Sequence, residues 1–147
     1  MTSSSFINEK VLESSSDMTE NIINKARTTL RHVVYLQWGM ALLCILAWHF
    51  TSLCMAIFLL VIATLGYYIT STLPNHELKY YLNVYRNSIK SSFIIMAFGV
   101  AWTFFTYSWK LYVIFRLIVW VMNVFTAVYS LHVVQNYQMV LDPSVDV

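Results

Sequence analysis

Arg116 is the one charged residue inside a long apolar run of this chain. A guanidinium offers a planar fork of donors that fits a phosphate or a carboxylate. Asn123 and Ser130 follow it at intervals of seven residues, with Trp120 and Ala127 between them. On a helix all five share one face. Polar and small residues on one face are the pattern of helix–helix contact in membranes. No Asp or Glu occurs in any apolar run. An anionic partner for Arg116 is then a lipid phosphate or another chain, and within the chain only carbonyls or neutral groups such as Gln37 remain. The competing reading needs no partner. Arg116 lies six residues from Lys110, about 9 Å at the helical rise, and a long arginine can snorkel that far to an interface.

Other polar and small residues are less specific. Gln37 falls about one turn inside the first apolar run, where a hydrogen bond to a neighbouring helix is the ordinary expectation. Gly99 and Thr103 permit close backbone approach. The histidines His32, His49, His76 and His132 are scattered, with no ligand spacing. Cys44 and Cys54 are expected to be ordinary buried thiols. There is no His-x-x-x-His, no glycine-rich phosphate loop and no Gly-x-Ser-x-Gly. The expectation is therefore a protein that is not an enzyme, with no cofactor, no metal and no catalytic residue. The terminal Val145-Asp146-Val147 resembles a segment that adds to a sheet edge, a pattern common by chance.

The elements that position these residues stand out. Hydrophobic residues make up 59% of the 147 and charged residues only 11%, against about 25% charged in a soluble domain. Four apolar runs, Val33–Phe50, Leu53–Tyr68, Phe93–Trp109 and Leu111–Leu131, approach the roughly 20 residues needed to cross a bilayer as a helix. Thr51 and Ser52 alone separate the first two, and Lys110 alone the last two. The fold class expected is an all-α membrane protein of four transmembrane helices in two tight hairpins. The spans are placed at 33–50, 52–70, 91–109 and 111–133.

Around this domain of residues 17–134, a Ser-rich tail over 1–16 is expected to be disordered, and a tail begins at 135. No apolar core precedes Val33, so the first span is expected to serve as its own insertion signal. Asp17-Met-Thr-Glu20 reads as a capping box. It opens a short amphipathic helix on Met18, Ile22, Ala26, Leu30 and Val33, one that continues into the first span or lies on the membrane. Between the second and third spans, Pro74-Asn75 marks a turn. Leu78, Tyr81, Leu82, Tyr85 and Ile89 then line one face of a second amphipathic helix, one that runs on into the third span, with tyrosines and basic residues suited to a headgroup layer; a solvated connector is the competing reading.

Basic residues near span ends stay cytosolic. Lys25, Arg27 and Arg31 precede the first span, Lys79, Arg86 and Lys90 lie in the linker, and only Lys110 is at a hairpin turn. Both termini are therefore expected in the cytosol, with the six basic residues at the membrane surface. The short spans suit a thin membrane such as endoplasmic reticulum or Golgi. The partners expected are the lipid bilayer and other membrane subunits or a second copy of the chain, with no nucleic acid. The functional expectation is a multi-pass endomembrane protein acting by helix packing, as accessory subunit, assembly or trafficking factor, or membrane-shaping protein. The alternative is a self-associating channel or transporter with a path lined by Arg116 and Asn123.

Overall fold

The computed structural model describes residues 3–47, 50–71, 75–106 and 111–142. It is all-helical, with α1 (Ser3–Leu46), α2 (Phe50–Ser71), α3 (Asn75–Thr106) and α4 (Leu111–Leu141). Each helix is long and apolar enough to cross a membrane. The chain is thus of multi-pass integral membrane type.

The four helices form an up-and-down ring in which each packs on two neighbours, α1 on α2 and α4, and α3 on α4 and α2. Contacts far apart in sequence set the register. Arg31 Nη2 donates to the Thr70 carbonyl at 3.5 Å, and Gln37 meets Ser130 at 3.3 Å. Arg86 meets Gln138 at 3.0 Å.

The core residues repeat every seven. Leu30, Gln37 and Cys44 of α1 are buried, as are Ser52, Leu59 and Gly66 of α2. Leu78, Tyr85, Ser92 and Gly99 of α3 and Arg116, Asn123, Ser130 and Tyr137 of α4 are buried too. A seven-residue repeat is 3.5 residues per turn, slightly under the helical period, which calls for a left-handed supercoil. The outer surface is apolar. Leu42, Phe50, Ile57, Ile94, Phe105 and Phe125 are all more than half exposed. That is the inverse of a soluble bundle, whose outer face is polar.

Several boundaries differ from the sequence expectation. Helix α1 runs 44 residues from Ser3, about 66 Å at the helical rise, so Asp17 is not an N-cap and residues 3–16 are helical. Hydroxyls along it bond back to the helix: Ser16 Oγ to the Glu13 carbonyl at 2.8 Å and Thr19 Oγ1 to the Ser15 carbonyl at 2.9 Å. Helix α1 ends at Leu46 and α2 begins at Phe50, so the first reversal precedes Thr51 and Ser52, which are buried in the opening turn of α2. Hydropathy marks where apolar residues stop, whereas the backbone sets where the chain turns. Helix α4 continues past 133 to Leu141, because Val134 and Tyr137 are buried in the core and Gln138 reaches α3.

Both amphipathic segments run on into spans, as continuous helices. The first is the lower part of α1, and the second is the first half of α3. Leu78, Leu82, Tyr85 and Ile89 are at most 1% exposed, so this face packs into the bundle and not onto a membrane surface. Pro74, His49, Trp48, Lys110, Tyr107, Trp109 and the C-terminal Val145–Val147 lie outside the described residues.

Candidate functional site

Polar side chains meet along the inner face of the bundle. Tyr85 OH donates to Gln37 Oε1 at 2.8 Å, and Gln37 Nε2 donates to Ser130 Oγ at 3.3 Å. Ser130 Oγ in turn donates to the Thr126 carbonyl at 2.6 Å. This chain of donors joins α1, α3 and α4 in one layer. One heptad along, Asn123 Nδ2 sits 3.2 Å from Cys44 Sγ and donates to the Val119 carbonyl at 2.9 Å. Asn123 Oδ1 is buried with no hydrogen-bond partner among the described residues. A further heptad along lies Arg116, 4% exposed.

Two glycines make the layers fit. A Cβ on Gly99 would lie 2.3 Å from the Trp120 ring, so the indole rests directly on the α3 backbone. A Cβ on Gly66 would lie 2.7 Å from Val34 Cγ2 and 3.1 Å from Tyr85 OH. Only a residue without a side chain lets Tyr85 lie against α2 and still reach Gln37.

The stripe of Arg116, Trp120, Asn123 and Ser130 therefore faces the interior of its own bundle. All four side chains are buried in the bundle, Arg116 to 4% exposure. Gln37, Ser130 and Gly99 take part in contacts between helices, as do Trp120 and Asn123. The reading above missed Tyr85, which it placed at a membrane surface, and it missed Gly66 and the pairing of Cys44. The recurrence of Gln37–Cys44 beside Ser130–Asn123 was the available signal. Cys54 differs from the expectation of a buried thiol, since it is exposed while Cys44 is buried.

The basic residues take other positions. Lys25, Arg31, Lys79 and Lys90 are exposed, whereas Arg27 and Arg86 are half-buried. His32 Nδ1 lies 2.8 Å from the Thr28 carbonyl and His132 Nε2 lies 3.1 Å from Asn136 Nδ2, each within its own helix. No group of three metal-ligating side chains occurs among the described residues. No protein-family model, curated protein or solved structure matches this chain.

Proposed function

We propose that this chain is a non-enzymatic endomembrane protein that works by helix packing, as an accessory or assembly subunit for other membrane proteins. The observation carrying the reading is the division of the surface. Polar side chains of the membrane part meet inside the bundle, as in Tyr85–Gln37–Ser130, while the outside offers aliphatic and aromatic residues. A seam of this kind specifies register between helices, and among the described residues it holds no positioned acid–base pair for catalysis. Helix α1 also continues far beyond the first turn of the bundle, with Asp17, Glu20 and Asn24 exposed along it. That extension is a natural handle for a partner on the side of the termini.

In this reading α1–α2 and α3–α4 insert as two hairpins with both termini cytosolic, as the basic residues favour, and a thin membrane such as endoplasmic reticulum or Golgi suits the spans. Burial of Trp120, Tyr85 and Tyr137 along the seam supports helix packing over the self-associating channel.

Two measurements test the proposal. Purification in mild detergent with mass spectrometry should recover a stoichiometric second membrane subunit, and recovery of the chain alone or only with itself would refute it. Single cysteines in residues 3–10, at 72–74 and in the C-terminal tail should react with an impermeant maleimide from the cytosol. Labelling of 72–74 from the lumen would overturn the orientation.

A further inference from the structure

At the end of the bundle that carries the termini, a cleft of about 270 Å³ opens between α3 and α4. Lys79, Asn83, Arg86, Gln138 and Asp142 line it. Arg86 points its two terminal nitrogens at neutral oxygens, Nη1 to Gln138 Oε1 at 3.0 Å and Nη2 to Asn83 Oδ1 at 3.1 Å. These contacts hold the fork in place and do not neutralise its charge. Lys79 Nζ pairs with the Asp142 carboxylate at the rim. Among the described lining residues Asp142 is the one acid beside two basic residues, which gives them one net positive charge.

The height of the cleft matters as much as its charge. Tyr68 of α2 packs edge-on against Tyr81 of α3, and Tyr81 against Tyr80, with centroids 5.9 and 5.5 Å apart. Trp38 stacks on Tyr67 at 6.1 Å. Exposed tyrosine and tryptophan rings gather at the headgroup level of a bilayer. Tyr80 belongs to this belt and also lines the cleft. Lys79 and Arg86 are two turns apart on the same helix, so the cleft reaches about 10 Å along α3 through that layer.

We infer that the α3–α4 cleft holds the phosphate of an anionic phospholipid from the leaflet on the side of the termini. The phosphate oxygens accept from Arg86 and from Lys79, which leaves Asp142 to do so. Asp142 is thereby a built-in competitor for the lipid. The inference rests on the membrane reading above, though not on any partner subunit.

The test uses the full chain in nanodiscs of phosphatidylcholine with a minor share of phosphatidylserine. Lipid that stays bound after detergent extraction is counted by native mass spectrometry. One basic contact near a membrane surface corresponds to about five-fold in affinity. Arg86→Gln should therefore retain about five-fold less phosphatidylserine than the native chain. Asp142→Asn should retain about five-fold more, because Lys79 is released. Lys25→Gln, on the opposite side of α4, should match the native chain. Equal retention in Arg86→Gln and the native chain would overturn the site, as would no gain in Asp142→Asn. An equal loss in Lys25→Gln would reduce it to general surface charge. Displacement of the lipid by inorganic phosphate at tens of millimolar would show a site for free phosphate and overturn the lipid assignment. Extraction of the chain from membranes by alkaline carbonate is a separate readout, and it would instead overturn the membrane reading.

Discussion

Gly99→Ala sets two effects of opposite sign against each other. Alanine is the better helix former by about 1 kcal/mol. Against this, the new methyl would sit 2.3 Å from two atoms of the Trp120 ring. Ordinary carbon contact is near 3.5–4.0 Å, so ring and backbone must separate by more than about 1 Å. Trp120 is only 2% exposed and shares its helix face with Asn123, so the indole cannot swing out of the bundle without breaking that face. Overpacking of this kind costs about 1–3 kcal/mol. The net expectation is a loss of up to about 2 kcal/mol. The assay is reversible unfolding in mixed micelles, titrated with a denaturing detergent. Gly39→Ala is the internal control, since a Cβ there meets nothing within 4 Å. It should gain stability by up to about 1 kcal/mol. Trp120→Leu should relieve most of the Gly99→Ala loss in a double-mutant cycle, because the two residues touch. A Gly99→Ala chain as stable as the Gly39→Ala chain would refute the close approach of α3 and α4 at this layer.

Tyr85→Phe removes the donor to Gln37, and interhelical hydrogen bonds in membranes average about 0.6 kcal/mol with a ceiling near 1.7. Its unfolding free energy should drop by an amount within that range, and no change would mean that Gln37 bonds elsewhere. Arg116→Lys should also lower the midpoint, because an ammonium does not fill the place of a guanidinium that is 4% exposed. An unchanged midpoint would return Arg116 to the snorkelling reading. Cys54 should react with a lipid-soluble maleimide in the folded chain and Cys44 only after denaturation, since one is exposed and the other buried. Equal rates would refute the packing of α1 on α4. Gly66→Ala should be as harmful as Gly99→Ala, with Val34 at 2.7 Å in place of the indole, and a gain in stability would refute the seat of Tyr85.

Four spanning helices were legible in the sequence because the cost of placing backbone and charge in hydrocarbon leaves long uninterrupted apolar runs. The face shared by Arg116, Asn123 and Ser130 was legible as well, since helical geometry ties spacing to direction. What that face meets was not. In a membrane, residues turned to lipid and residues turned to the core are both apolar, so hydropathy carries little contrast between outside and inside. Leu78, Leu82 and Tyr85 read as a membrane-facing stripe for that reason, and only the packing of α3 against its neighbours shows that they are buried. The same holds for Cys44 and Cys54, alike in sequence setting and opposite in exposure. The meeting of Gln37 with Tyr85 and Ser130 depends on register among three helices. Close contacts at Gly66 and Gly99 set that register, and a contact between distant residues exists only once the chain is folded.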